Sequence, residues 1–501
     1  MNALEPNSQP IEGPSDRVLK EIGLVAGPVV ALLLYMLPLP LSISAHKMAA
    51  LMIGVVVYWI TEPIPIPVTA LLGPMLAILL GLGEAKEILA SFGHPVVFLF
   101  IGSFFIARAM EHHHLDRRIS ISVLAWKGIG NSPYRVLGAL GGLTAFLSLW
   151  ISNTAATAML FPIALGILNA IGALTDSKMK PYATGMMLMI AFAASVGGIG
   201  TPIGTPPNLI GIGMIEAQTG RAIGFLEWMR FAVPIAVLMF MALYGLLIYR
   251  HPPPVGPMKG VEAYLAQQRE GLGPWSRGEK NVRAVFCAAV FFWILPGLAH
   301  LLFGAGTAIP AWIEDHLSEE VVAILAAGLL FFLPSGRSKG EATLSWEEAV
   351  SIDWGTIFLF GGGLALGGLI FKTGLATAIG EGLLTFPLFS SLWGITAFAI
   401  LLAIGVSELA SNTASANMVI PVVIAVAQAA QVSPLPPALG AILGASYGFM
   451  LPVSTPPNAI VYGSGLIPIT QMIRTGILFD LIGALIIFIG LRLLCPLLGL
   501  I

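Results

Sequence analysis

The sequence predicts an all-α polytopic membrane protein with about 11 transmembrane helices and two re-entrant hairpins. Of its 501 residues, 57% are hydrophobic and 10% are charged, whereas roughly 25% of residues are charged in an ordinary soluble domain. Uncharged runs such as 22–39 and 231–249 are each long enough to cross about 30 Å of hydrocarbon. Polar segments recur in pairs within this apolar background, which predicts an internal repeat.

The order of apolar segments divides the chain into six parts. These are a cytoplasmic N-terminal segment (1–18), scaffold helices (19–94), a first repeat (95–228), scaffold helices with a cytoplasmic loop at 250–283 (229–345), a second repeat (346–470) and a C-terminal helix (471–501). Residues 1–18 lack the charged-then-apolar layout of a signal peptide, so we expect the first apolar run to stay as a helix.

Each repeat contains one polar motif and one proline-rich partner. Ser152-Asn153-Thr154 and Ser411-Asn412-Thr413 lie inside the apolar segments 136–170 and 393–427, which we interpret as the hairpins. The partners, Gly204-Thr205-Pro206-Pro207-Asn208 and Ser454-Thr455-Pro456-Pro457-Asn458, interrupt the segments 184–218 and 436–463. Proline removes a backbone donor and disfavours helix in the residue before it. The two interrupted segments are therefore predicted to be broken helices.

The distribution of Lys and Arg supports hairpins and a cytoplasmic amino terminus. With re-entrant hairpins, 18 of the 24 basic residues fall inside and six outside, whereas straight crossings would leave 11 inside and 13 outside. Two full transmembrane spans in place of each re-entrant hairpin would give the same division of basic residues, so the count does not distinguish these two arrangements. The repeats then enter the membrane from opposite faces, which is typical of alternating-access transporters with a site where the repeats meet.

The motifs carry oxygen ligands that suit a hard cation. Ser148 and Ser152 are four residues apart, as are Ser407 and Ser411, so each pair is expected to share one helix face. Half-helix ends and unwound carbonyls coordinate sodium in many secondary transporters. The predicted sodium ligands are Ser148, Ser152, Asn153 and the Gly204 carbonyl at the first site, and Ser407, the Ala410 carbonyl, Asn412 and the Ser454 carbonyl at the second.

The expected substrate is a small dianion carried with cations. The motifs and their partners contain no Lys or Arg, and only Glu408 adjoins a motif. An anion could use the hydroxyls and amides of these segments, including Thr154, together with helix N-termini worth about half a charge each. Two sodium ions would offset a dianion's charge and lower its desolvation cost. No basic tract indicates a nucleic-acid partner.

These motifs, with Trp59-Ile-Thr-Glu-Pro-Ile-Pro-Ile-Pro67, resemble the divalent anion/sodium symporter family, the INDY-like dicarboxylate transporters. The resemblance implies a homodimer, with a scaffold and an elevator-type transport domain in each protomer, in a bacterial inner (plasma) membrane. It implies sodium as the coupling ion and C4-dicarboxylates (succinate, malate, fumarate) as substrates. It also implies carboxylate contacts from Asn153, Thr205, Ser411, Asn412, Thr413, Thr455 and Pro456.

Other interpretations remain open at this point. A single Ser-Asn-Thr in a membrane helix more often hydrogen-bonds a neighbouring helix than binds an ion, but the duplication favours a binding function. An intramembrane Glu408 is a functional candidate, although its repeat counterpart Leu149 favours a structural hydrogen-bonding role. The alternative function is a sodium-independent dicarboxylate/anion exchanger on the same fold. An enzyme is not expected, because no nucleophile–base pair or zinc-ligand spacing is present.

Overall fold

The computed structural model describes residues 14–501 except 175, 255, 257, 259, 305–306 and 337–339. Within these residues all of the regular secondary-structure elements are helices, which confirms the all-α prediction. Eleven described helices are long and apolar enough to cross a membrane. The predicted N-terminal segment lies mostly outside the described residues, since the first helix begins at Pro14.

The described residues of the first half of the chain form ten α-helices. They are α1 (Pro14–Met36), α2 (Ile43–Thr61), α3 (Ile66–Leu79), α4 (Ala85–Ala90), α5 (Pro95–His112), α6 (Leu115–Leu124), α7 (Pro133–Ser148), α8 (Asn153–Ala170), α9 (Lys180–Gly198) and α10 (Pro206–Thr219).

The remainder of the described chain forms thirteen further α-helices. They are α11 (Phe225–Arg250), α12 (Val261–Glu270), α13 (Arg277–Phe303), α14 (Ala308–His316), α15 (Glu319–Phe332), α16 (Trp346–Ala349), α17 (Trp354–Lys372), α18 (Leu375–Leu384), α19 (Leu392–Leu409), α20 (Asn412–Ala429), α21 (Leu435–Ala445), α22 (Pro456–Tyr462) and α23 (Ile469–Leu497).

The repeat is visible as two series of six helices in the same order, α5–α10 and α17–α22. The first four helices have 18, 10, 16 and 18 residues in one series and 19, 10, 18 and 18 in the other. The helices α7 and α8, like α19 and α20, meet at the Ser-Asn-Thr motif. The predicted helix breaks are also present, because α9 ends before the first Thr-Pro-Pro and α10 begins at its first proline, as α21 and α22 do at the second.

Aligned glycines attach the start of each repeat to helices outside it. A Cβ built on Gly102 would lie 2.6 Å from the Cβ of Ala323 in α15, and one on Gly362 would lie 2.7 Å from the backbone carbon of Ala70 in α3. Small residues at such positions let helix backbones approach closely, which is how helices associate without a hydrophobic driving force in lipid. The helices α5 and α17 are thus packed against α15 and α3.

The motif-bearing helices pack mainly against one another. α9 is buried from Tyr182 to Gly198, and α21 is buried along its whole length. The two series also interlock, because α10 packs on α20 and α22 packs on α8 and α9. The motifs of both repeats are therefore held in one interior region.

Candidate functional site

Each Ser-Asn-Thr motif begins a helix. Ser152 caps α8 by accepting a hydrogen bond from the Ala155 amide at 3.1 Å, and Ser411 caps α20 by accepting from the Ala414 amide at 3.2 Å. The prediction that Ser148 and Ser152 share one helix face is therefore wrong, as it is for the second motif. The second serine is the N-cap of the next helix, where its hydroxyl satisfies one backbone amide that would otherwise lack a partner. The preceding helix therefore ends before the second serine.

A hydrogen bond across each turn brings a hydroxyl and an amide oxygen together. The Ser148 hydroxyl donates to Asn153 Oδ1 at 2.5 Å, and the Ser407 hydroxyl donates to Asn412 Oδ1 at 2.8 Å. Both serines are fully buried. The same bond at the same five-residue separation in both repeats indicates that the turn geometry is a property of the motif.

The asparagine of each proline-rich partner holds the helix break in shape. Asn208 Nδ2 donates to the Gly198 and Thr201 carbonyls at 2.9 and 2.7 Å. Asn458 makes the equivalent bonds, to the Gly448 and Leu451 carbonyls, at 2.8 and 3.0 Å. These bonds satisfy carbonyls that the interrupted helix leaves without partners, which is the condition for unwound backbone at membrane depth.

Backbone and side-chain oxygens lie close together where each break meets its motif. A Cβ built on Gly204 would lie 2.5 Å from the Gly198 carbonyl oxygen and 2.9 Å from that of Ser148, and one on Gly198 would lie 2.4 Å from Asn153 Oδ1. In the second repeat, a Cβ on Gly448 would lie 3.1 Å from the Ser407 carbonyl oxygen. These clustered oxygens fit a hard cation such as sodium.

The four segments meet around one cavity of about 470 Å³. All eight predicted substrate residues line it: Asn153, Thr154, Thr205, Ser411, Asn412, Thr413, Thr455 and Pro456. Among the predicted sodium ligands, Ser152, Asn153, Gly204, Asn412 and Ser454 also line it. The remaining three, Ser148, Ser407 and Ala410, are buried. The structure thus brings the two repeats' motifs together, as the repeat predicts.

Three of the helices that start at this cavity belong to the motif segments and have at least 14 residues, namely α8, α10 and α20. Each N-terminus carries about half a positive charge. The motif side chains are neutral hydroxyls and amides. The cavity can therefore bind an anion without a basic residue in the motifs.

Sequence reasoning missed part of the cavity wall, which comes from outside the motifs. Arg108 and Glu111 of α5 line it, with Arg108 Nη1 3.2 Å from Glu111 Oε2. Asp353 and Thr356 line it from the start of α17, where Asp353 Oδ2 accepts from the Thr356 hydroxyl at 2.6 Å. A charge inside an apolar helix was a usable signal for Arg108. In the sequence analysis, Arg108 entered only the count of Lys and Arg residues on the two sides of the membrane.

Glu408 has the hydrogen bonds that a structural role requires. It is 2% exposed and accepts from the Phe449 and Met450 amides at 2.6 and 2.9 Å, and from the Ser454 hydroxyl at 2.8 Å. These bonds fasten the second motif to the second helix break. A second buried carboxyl, Asp480 of α23, lies beside Glu408. No motif surrounds Asp480 in the sequence, so its position in an apolar helix was the one signal that could have identified it.

A second cavity of about 890 Å³ adjoins the first, and Glu111, Ser152 and Thr154 line both. Its outer wall includes Asp116 of α6 and residues of α12, a helix formed by the loop predicted to be cytoplasmic. Burial raises the pKa of Asp116 to about 6. The two adjacent cavities together extend from the motifs to α12.

Residues 19–501 match the family described as the sodium:sulfate symporter transmembrane region. The chain is 33% identical over 504 residues to the sodium-dependent dicarboxylate transporter SdcS of Staphylococcus saprophyticus, with 97% of this chain and 93% of that protein covered. It is 32% identical over 492 residues to SdcS of Staphylococcus aureus strain MRSA252, with 95% and 91% covered.

A solved structure, that of the Alcanivorax borkumensis YdaH transporter, is similar in fold. The TM-score is 0.52, with 14% sequence identity, and the match covers 95% of this chain and 96% of that one. At this identity the similarity concerns the fold alone.

Proposed function

The chain belongs to the sodium:sulfate symporter family of integral membrane transporters, and from this premise we propose that it is a sodium-coupled dicarboxylate symporter. One observation carries the proposal: both Ser-Asn-Thr motifs and both proline-rich breaks line a single cavity with neutral oxygens and helix N-termini. The names of the SdcS relatives support dicarboxylate as the substrate class and sodium as the coupling ion.

The proposed substrates are C4-dicarboxylates such as succinate, malate and fumarate. One carboxylate would contact residues of the first repeat, Asn153, Thr154 and Thr205, and the other those of the second repeat, including Asn412 and Thr455. Two sodium ions at the predicted sites would bring the bound charge of the dianion to neutral. Neutrality matters because an unpaired charge is very costly to bury away from water.

The proposed mechanism is elevator-type alternating access in a homodimer. The motif-bearing helices would move as one transport domain, because α10 packs on α20 and α22 packs on α8 and α9 across the two repeats. The scaffold would comprise the helices outside the repeats, with α5 and α17 attached to them. We propose the predicted repeat boundaries, re-entrant hairpins and cytoplasmic amino terminus as part of this mechanism, in a bacterial inner membrane.

The test is uptake of radiolabelled succinate by the purified protein in empty proteoliposomes. We expect accumulation with an inward sodium gradient and little uptake when potassium replaces sodium. A set of liposomes loaded with unlabelled succinate tests the alternative exchanger. Uptake that requires the internal succinate and ignores sodium would establish exchange and reject symport.

A further inference from the structure

We propose that Trp275, Arg277, Lys280 and Arg283 form a basic patch that binds the headgroup of an anionic phospholipid at the cytoplasmic face of the membrane. The patch lies where the loop after α12 enters α13. None of its four residues lines either of the two cavities described above. The inference therefore goes beyond the proposed transport activity, and shares with it only the predicted cytoplasmic side of this loop.

Trp275 is the platform of the patch, because its ring contacts two guanidinium groups. The guanidinium carbon of Arg118 lies 5.0 Å from the ring centre, and that of Arg283 lies 4.6 Å from it. Arg118 is 7% exposed, and its donors are engaged by the Glu279 carboxylate and by the carbonyls of residues 272–274. These bonds fix the loop that leads to Trp275, so the indole has a defined position against which Arg283 stacks.

The stacked guanidinium of Arg283 keeps its hydrogen-bond donors free. Arg283 is exposed, and within the described part of the chain its side chain forms no hydrogen bond or ion pair. An arginine stacks on an aromatic ring through its flat face, whereas its five N–H donors lie in the plane of the guanidinium. Such a planar fork binds two phosphate oxygens at once. The contact with Trp275 therefore preorganises Arg283 for a phosphate group.

Arg277 and Lys280 add two positive charges to the patch. Both are exposed, and neither forms an ion pair with a described acid. They precede Arg283 at intervals of three residues, so the three side chains span about 120° of the helix surface. Glu279 is the one acid of α13, and it is already paired with Arg118. The three positive charges thus lack a counter-charge among the described residues.

The helix surface beyond the patch favours a lipid over a free phosphate. The exposed residues that follow Arg283 on α13 are apolar, and they include Cys287, Phe291 and Leu298. Only 22% of the apolar window of this membrane-crossing helix is buried, so most of it faces out of the protein. Basic clusters at the cytoplasmic end of a transmembrane helix attract anionic lipids. A ligand with an anionic headgroup and apolar chains matches both parts of the surface.

The experiment measures lipid binding to the detergent-purified full chain by native mass spectrometry. The probes are anionic dioleoylphosphatidylglycerol, zwitterionic dioleoylphosphatidylcholine, and glycerol phosphate, which has the phosphate without acyl chains. The readout is the preference of the first bound lipid, defined as the Kd for phosphatidylcholine divided by the Kd for phosphatidylglycerol. The variants are Arg283→Gln, Arg283→Lys, Trp275→Leu and the double variant Arg277→Gln/Lys280→Gln. Arg269→Gln is the matched control, because Arg269 is exposed in the same predicted cytoplasmic loop but lies on α12.

We expect the wild type to prefer phosphatidylglycerol. Arg283→Gln should lower the preference roughly 10- to 100-fold, the range for loss of a hydrogen bond to a charged group. Trp275→Leu keeps all three positive charges and should lower it roughly 2- to 30-fold, because a cation–π contact is lost. Arg283→Lys keeps the charge without the planar fork and should give an intermediate value. The double variant should also lower the preference, whereas Arg269→Gln should leave it at the wild-type value.

Any of four results would overturn the proposal. The first is equal binding of the two lipids by the wild type. The second is a wild-type preference in Arg283→Gln or Trp275→Leu; if Arg283→Gln also changes the oligomeric state in the same spectra, the patch is a contact between subunits. The third is an equal loss of preference in Arg269→Gln, which would assign the effect to the diffuse charge of the whole cytoplasmic face. The fourth is displacement of phosphatidylglycerol by glycerol phosphate at equal concentration, which would make the patch a site for soluble phosphates. Since transport is not measured, each outcome is independent of the proposed function.

Discussion

Replacing the motif asparagines tests the two proposed sodium sites directly. Asn153→Ala removes the amide oxygen that accepts from Ser148 at 2.5 Å, and Asn412→Ala removes the one that accepts from Ser407 at 2.8 Å. Each amide oxygen is proposed to be a sodium ligand and to lie beside the substrate carboxylate. A contact with a charged group is worth roughly 1.5–3 kcal/mol. Because about 1.4 kcal/mol corresponds to tenfold, each variant is expected to raise the sodium concentration for half-maximal uptake about 10- to 100-fold.

The same substitutions leave most of the fold intact. Each loses one internal hydrogen bond, which contributes roughly 0.5–1.5 kcal/mol to stability, so the purified variants should keep a single thermal unfolding transition near that of the wild type. The assay measures succinate uptake into proteoliposomes over a range of sodium concentrations. At low sodium we expect the variants to take up almost no succinate. Asn169→Ala is the control, since Asn169 is an exposed asparagine on the same helix, α8. A wild-type sodium dependence in Asn153→Ala or Asn412→Ala would reject the two-site interpretation.

Three further substitutions test other parts of the structure. Asn458→Ala leaves the Gly448 and Leu451 carbonyls without their donor. We expect the free energy of unfolding to fall by about 2–5 kcal/mol, measured by thermal unfolding in detergent. An unchanged unfolding transition would show that other contacts hold the helix break. Burial raises the pKa of Asp116 from 3.8 to about 6, so between these pH values the folded protein keeps a proton that the unfolded chain has released. Stability therefore falls as the pH rises from 3.8 to about 6 and then levels off. Asp116→Asn should abolish that fall, and a pH profile identical to that of the wild type would contradict the prediction. Glu408→Gln loses one of the two acceptor oxygens, so it should lower the unfolding temperature and raise the sodium concentration needed for uptake. Wild-type values for both would show that Glu408 does not join the second motif to the second helix break.

The motifs and helix breaks were predictable because their residues have strong local effects. A proline is well tolerated in the first turn of a helix and disfavours helix in the residue before it, so the breaks before Pro206 and Pro456 follow from the two Thr-Pro-Pro sequences. The capping role of Ser152 was equally local, since serine is a favoured N-cap, but the four-residue spacing from Ser148 suggested a continuous helix instead. The positions of Arg108 and Asp480 were not predictable, because packing between helices distant in sequence decides which wall an isolated charge faces.

The capped turn also explains how one short motif could serve a cation and an anion together. At the end of α7 the last carbonyls lack helical partners, and at the start of α8 the first amides lack them. The carbonyl end attracts a cation and the amide end attracts an anion, about half a charge each. Since Ser148 closes α7 and Asn153 opens α8, only the turn separates the two ends. A sodium ion at the proposed first site would therefore lie close to a bound carboxylate, and each would lower the electrostatic cost of binding the other, which is the physical basis that symport requires.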